Sequence, residues 1–241
     1  LDDDHTLNEL KGNAQIKNNK IQKANLSAKF DEKNVFLFTK DEIEGKNVTT
    51  IFSDFAKPFV KKFKFIRGFD GGKLDYTSTT INDDLSKSEL RIYNFKLQDM
   101  PALTKLLSLA SLQGIADLAT GEGIRFNEFD MFFENSKNLI TINEIYALGP
   151  AISILMEGYV EKNELVSLRG TLVPATTINK TIAKIPLLGN ILVGNKMGEG
   201  VFGVSFKIKG HPKNLDTRVN PIKTLTPRFI TRTLDKIKKT N

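Results

Sequence analysis

The chain has 241 residues, 35 Lys and Arg against 28 Asp and Glu for a net charge of +7, and 40% apolar residues. That composition excludes disorder throughout and allows one or two globular domains at roughly 150 residues each. The absence of cysteine removes disulfides, thiolate catalysis and Cys-ligated zinc or iron–sulfur centres together. The two histidines, His5 and His211, are distant in sequence and stand among charged, Gly or Pro neighbours, so no His-pair metal site, His-based triad or cofactor is expected.

The longest run without a charged residue, Ile145 to Met156, is well short of the ~20 residues a helix needs to cross a bilayer. The chain opens Leu-Asp-Asp-Asp, without an initiator Met or a basic-then-apolar leader, and reads as a fragment or processed piece. Its positive charge is localised. Residues 1–205 hold 25 basic and 26 acidic side chains, whereas 206–241 hold 10 and 2. Lys outnumbers Arg by 28 to 7, which argues against the bidentate recognition of bases and phosphates that Arg supplies. No nucleic-acid partner is expected; the basic tail alone suits an anionic surface.

In chain order, period-two alternation dominates. Ala24, Leu26, Ala28 and Phe30 share a face with Gln22, while Ile21, Lys23, Asn25, Ser27 and Lys29 take the other, the pattern of a half-buried strand. Further strands are expected at 35–38 and 48–52, then a short helix from Asp54 to Lys64 with Pro58 in its first turn. Strands at 74–79 and 90–97 follow. The strongest helix begins near Asp99 and Pro101, carries Leu103, Leu106, Leu107 and Ala110 at helical spacing, and stops at Gly121. Strands at 124–133, 139–147, 151–160 and 165–173 are joined by short polar links, so they form an antiparallel meander. A change of face between Phe126 and Phe129 predicts a bulge. A helix from Pro174 to Lys184 precedes the cleanest strand, in which Phe202, Val204, Phe206 and Ile208 alternate with Gly203, Ser205, Lys207 and Lys209. A last helix spans Pro227 to Lys239, capped by Thr226.

Several motifs fail on context. Gly198-Glu199-Gly200-Val201-Phe202-Gly203 matches a dinucleotide fingerprint in letters, but a strand follows where a helix must open to receive a pyrophosphate. Gly189 to Lys196 approaches a phosphate loop but has Asn195 at the Lys position and Met197 after Lys196. The carboxylate pairs Asp83 with Asp84 and Glu128 with Asp130 read as solvated turn or strand-face residues. No enzyme is expected. Sequons at Asn25, Asn47 and Asn179 matter only in a glycosylating pathway. Residues Phe202, Val204, Phe206 and Ile208, with Ile152, Ile154 and Met156, are expected to line one apolar surface, as a closed core or as an open trough. In the tail, Ile230, Leu234 and Ile237 form a narrow apolar stripe beside Arg228, Arg232 and Lys236, which suits docking on an anionic membrane surface or partner.

Specific strings then read together. Thr171-Leu172-Val173-Pro174, Ile178-Asn179, Ile185-Pro186-Leu187-Leu188-Gly189, Gly198-Glu199-Gly200 with Phe202-Gly203, and Val219-Asn220-Pro221 with Leu225-Thr226-Pro227 resemble the C-terminal region of the AsmA-like family, most closely its YhdP-type members. Phe69-Asp70-Gly71-Gly72, the Leu106-Leu107 helix, Gly121-Glu122-Gly123-Ile124 with Phe126, and Gly149-Pro150 with Gly158 are similar to it too. Arg228 departs from the pattern, where Gly often follows the second Pro. The resemblance implies a mainly β (α+β) protein: a curved, largely antiparallel sheet forming an apolar groove, with a few short helices including a C-terminal one. It implies one elongated region over 1–241, with 1–98 and 99–241 as the alternative subdivision. It further implies the C-terminal section of a bridge conducting phospholipid between the inner and outer membranes of a Gram-negative envelope. Such a protein is periplasmic, anchored in the inner membrane through a segment absent from this chain, and works with envelope protein partners. The alternative is a periplasmic assembly or interaction module with a closed core and no lipid cargo.

Overall fold

The computed structural model describes residues 4–60, 68–98, 101–109, 121–174 and 203–222. Among these, twelve strands and two helices run in the order β1 (Asn8–Lys17), β2 (Lys20–Lys29), β3 (Val35–Ile43), β4 (Lys46–Ser53), α1 (Lys57–Val60), β5 (Phe69–Asn82), β6 (Leu85–Leu97), α2 (Pro101–Leu109), β7 (Ile124–Asn135), β8 (Leu139–Leu148), β9 (Ile152–Glu161), β10 (Leu165–Pro174), β11 (Gly203–His211) and β12 (Asn214–Ile222). They form one open sheet in sequence order, and every neighbouring pair is antiparallel. The protein is therefore mainly β, as expected, and the boundary considered at 98/99 falls between the paired strands β6 and β7.

The two ends of the strands differ. At one, tight turns close β1–β2, β3–β4, β5–β6, β9–β10 and β11–β12. Asn18 and Asn19 adopt left-handed backbone there (φ 52° and 57°), which Asn tolerates better than most residues. At the opposite end the chain leaves the sheet for α1 and α2. The core gathers at this second end. Phe69, Leu74, Ile92, Phe95, Ile124, Phe126, Ile152, Leu172 and Val204 are buried in one continuous cluster with Leu106 and Leu107 of α2. The helix leaves at β6 and returns at β7 yet packs against β12, so it lies across the sheet's apolar face.

Phe126 lies in the core and Phe129 packs against it, so the expected change of face exists. The β6–β7 register runs through it without the expected bulge; the partner strand β6 makes the same change through its backbone conformation. Strict alternation would put Ile92 and Phe95 on opposite sides, yet both lie in the core. Between them Asn94 is left-handed (φ 54°), opposite Gly71 and Gly72 (φ 74° and 85°), and this rotates the following residues by one face. The rotation aligns Phe69, Phe95 and Phe126, whose rings stack at 5.2 and 5.3 Å; Phe129 meets Phe95 edge-on at 6.4 Å. Such ring pairs add about 0.5–1.5 kcal/mol each beyond area burial.

Three elements differ from the sequence expectation. Pro174 does not open a helix: it is the last residue of β10, paired with Ile152. β1 was not anticipated because it carries little apolar alternation and is exposed along its whole length; pairing with β2 forms it. β12 was also missed, since Asn220-Pro221 reads as a breaker. Pro221 is tolerated because β12 pairs only with β11 among the described residues, leaving an edge where a missing N–H costs no ladder bond. The helix expected over 54–64 is seen as α1, and that over 99–121 as α2. Residues 54–56 are not helical. Residues 61–64, 99–100 and 110–120, the rest of the helix expected from Pro174 to Lys184, and the helix expected at 227–239 lie outside the described residues.

Candidate functional site

The cross-strand registers place the expected apolar residues in continuous rows. In the first row Ala28, Phe36, Ser53, Leu74 and Ile92 stand opposite one another from β2 to β6, and Phe129, Ala147, Ile154, Leu172 and Val204 continue it to β11. Its one polar member, Ser53, spends its hydroxyl locally, donating to the Phe55 carbonyl at 2.9 Å and accepting from the Phe55 N–H at 3.1 Å. Two residues nearer the tight turns lies a second row, Leu26, Phe38, Ile51, Tyr76 and Leu90, then Met131, Ile145, Met156, Gly170, Phe206 and Val219. This row crosses eleven strands without a charged residue, about 45–50 Å at a strand spacing of roughly 4.8 Å.

The first row is covered. Phe30, Phe36, Phe55 and Phe59 pack ring against ring over its β2–β4 part, and the His5 ring joins them 5.1 Å from Phe55. Leu106 and Leu107 of α2 belong to the same core. The second row is mostly half-buried: Leu26, Phe38, Ile51, Tyr76, Leu90, Met131, Met156 and Val219 each keep part of their surface open.

The width of the apolar surface changes along the sheet. A third row holds Lys40, Thr49, Ser78 and Ser88 across β3–β6 but Phe133, Ile142, Gly158, Leu168 and Ile208 across β7–β11. In the polar half Ser88 donates to Ser78 at 3.0 Å and meets the Tyr76 hydroxyl at 3.3 Å. The strip is thus two rows wide in its first half and three in its second.

Of the residues expected to line one surface, Ile152, Ile154, Val204 and Phe206 lie together in the core, with Met156 and Ile208 packed against it. Ile152 and Val204 are 0% and 2% exposed, so they are deeper than a surface in contact with cargo. Phe202, Arg228, Arg232 and Lys236 lie outside the described residues, as do Gly198 to Val201 of the glycine motif; Gly203 opens β11 as a strand. Sequence reasoning missed the β2–β8 part of the strip. Its signal was present in Phe36 with Phe38 and in Leu90 with Ile92, but only register aligns these pairs across strands.

The opposite face is polar toward the tight turns, but at the other end of β8–β10 it buries Tyr146, Leu155 and Val173. Cross-strand ion pairs join Lys23 to Asp41 (2.8 Å), Lys87 to Glu134 (3.1 Å) and Arg169 to Glu157 (2.7 Å). Asp83 and Asp84 sit in the β5–β6 turn, where Asp84 meets Lys137 at 3.1 Å. Asp130 corrects the expectation of a solvated residue. It is 1% exposed, with the Arg91 Nε 3.8 Å from its Oδ1, and Arg91 also grips Glu89. Burial works against the Arg91 charge, but Glu89, Tyr93 and Asp130 hold its guanidinium above the ordinary value. Burial pushes the Tyr93 phenol up. His211 accepts the Lys213 N–H at 3.2 Å in the β11–β12 turn, far along the sheet order from His5 at the β1 end. Among the described residues no group of three or more His, Asp or Glu is placed to hold a metal, and no helix is long and apolar enough to cross a membrane.

The chain matches no protein-family model, no curated protein and no solved structure.

Proposed function

We propose that this chain is a section of a lipid-conducting bridge of the AsmA-like type, carrying phospholipid between the two membranes of a Gram-negative envelope. The observation that carries the reading is the mostly half-buried second row, which crosses eleven consecutive strands without a charged residue. An acyl chain laid along it, perpendicular to the strands, gains about 25 cal/mol per Å² of apolar area covered. Twist and bulges curve such a sheet, and a curved apolar face is a groove. The strings behind the family resemblance support the reading by their positions: Phe69 to Gly72, Leu106-Leu107, Ile124 with Phe126, Gly149-Pro150 and Thr171 to Pro174 all fall at the end where the core gathers. In this reading the cargo is phospholipid, the compartment is the periplasm, and the tail residues Arg228, Arg232 and Lys236 approach a membrane surface. No catalysis or cofactor is required.

A second reading has its own observation. Leu106 and Leu107, 3% and 0% exposed, already occupy part of the apolar face, as a closed-core interaction module without lipid would require. Photo-crosslinkers at the half-buried Met156 and Leu90 separate the two. Capture of phospholipid at both, with lipid retained through purification and seen by native mass spectrometry, supports conduction. Crosslinks to protein alone in a folded chain would sink it in favour of the closed core.

A further inference from the structure

On the polar face of the last strands, Arg169 of β10 stands directly opposite Lys207 of β11, and Lys207 directly opposite Arg218 of β12. Three cations therefore occupy one cross-strand row, where side chains lie about 5 Å apart and like charges destabilise the pairing. Arg169 and Arg218 each have a carboxylate, Glu157 at 2.7 Å and Asp216 at 3.0 Å. Lys207, between them, is exposed and has no carboxylate partner among the described residues. Lys209, two residues on, faces the same side. A sheet does not gain from this row on its own; it becomes favourable when an anionic surface covers it.

We propose that the polar face of β10–β12 is a docking surface for an anionic phospholipid membrane. The accessible neighbouring positions on this face, Ser167, Ser205 and Asn220, are polar, and the apolar Leu155 and Val173 beyond the buried Thr171 are themselves buried. A protein interface of useful strength centres on buried aromatic or aliphatic anchors, and single-stranded nucleic acid calls for stacking aromatics; this patch has neither. A lipid surface needs only charge. The patch also belongs to the stretch in which the chain's excess positive charge begins, at Phe206. It lies on the face opposite the apolar strip, so a membrane bound there leaves the strip open. The proposal stands independently of lipid conduction.

The test is sedimentation of the full chain with vesicles of phosphatidylcholine alone or with added phosphatidylglycerol. Binding is expected only with phosphatidylglycerol, weakening as salt rises. Lys207→Gln should weaken it roughly five-fold, the effect of one cation near an anionic surface, and Lys209→Gln by a similar factor. Lys207→Glu should weaken it further while holding or raising the thermal midpoint, because it places opposite charges across both neighbours. Unchanged binding in the Lys207 and Lys209 variants overturns the proposal and moves docking to the tail. Binding to polyglutamate with none to anionic vesicles overturns it in favour of an acidic protein partner. Lipid retained on the strip is read separately by extraction, so failure here leaves the conduction reading to its own test.

Discussion

Gly170 lies directly opposite Phe206 across β10 and β11, and a Cβ on Gly170 would stand 2.7 Å from the Phe206 ring and 2.6 Å from the Met156 Cβ. The missing side chain is what lets the ring of Phe206, 3% exposed, lie over Gly170 within the second apolar row. Gly170→Ala is expected to push the ring aside and to crowd the backbone of β9 as well. Overpacking of this kind costs about 1–3 kcal/mol. The measurement is chemical denaturation of the variant beside the parent; a variant of equal or higher stability would show that the ring does not need this space.

The Lys23–Asp41 pair offers a pH-dependent expectation. The hydrogen bond from Lys23 holds the Asp41 carboxyl below its ordinary value, aided by the Glu42 N–H; the same contact raises Lys23. For Asp41 the contribution is present above the unfolded value of about 3.9 and is lost as pH falls through the lower folded one. For Lys23 it is present below about 10.4 and is lost as pH rises through the higher folded one. The bridge is therefore intact across neutral pH and breaks only toward either extreme. Carboxyl-detected NMR titration should show the Asp41 midpoint rising in Lys23→Gln. An unmoved midpoint would leave the Glu42 N–H as its sole cause.

How far the sequence discloses this fold depends on the residues. Alternation in 22–30 and 202–208 places Ala24, Leu26, Ala28, Val204 and Phe206 on the apolar face because each strand there has one wet and one greasy side. The short links after Asn135, Leu148 and Glu161 are enough to make β7–β10 a meander, since a parallel crossover does not fit in them. Burial of Asp130 is not legible, because its neighbour Arg91 is 39 positions away in sequence and comes beside it only through the β6–β7 register. The row Arg169–Lys207–Arg218 is hidden for the same reason. Each cation alternates innocently along its own strand, and the repulsion exists only once three strands are aligned. The strip's length was likewise invisible, since period-two patterning reports a face within a strand and says nothing of which positions meet across strands.

The change in strip width gives the final prediction. Ser78 of β5 and Leu168 of β10 both belong to the third row, at the same depth from the end where the core gathers. Around Ser78 that row is polar, with its hydroxyls tied to Ser88 and Tyr76; around Leu168 it is apolar, flanked by Gly158 and Ile208. An acyl chain crossing β3–β6 has only two apolar rows to lie on, and spreading further would strip water from hydroxyl and ammonium groups, at a cost of about 1–3 kcal/mol per unpaired polar group. Across β7–β11 the third row offers no such penalty. Photo-crosslinkers at Leu168 should therefore capture phospholipid several-fold more efficiently than at Ser78, although both positions are half-buried. Replacing Ser78 and Ser88 by Val should widen the narrow half and raise capture at Thr49, the next member of the row. Equal capture at Leu168 and Ser78 in the parent chain would mean that polarity in the third row does not confine the lipid, and that only the depth of the first two rows does.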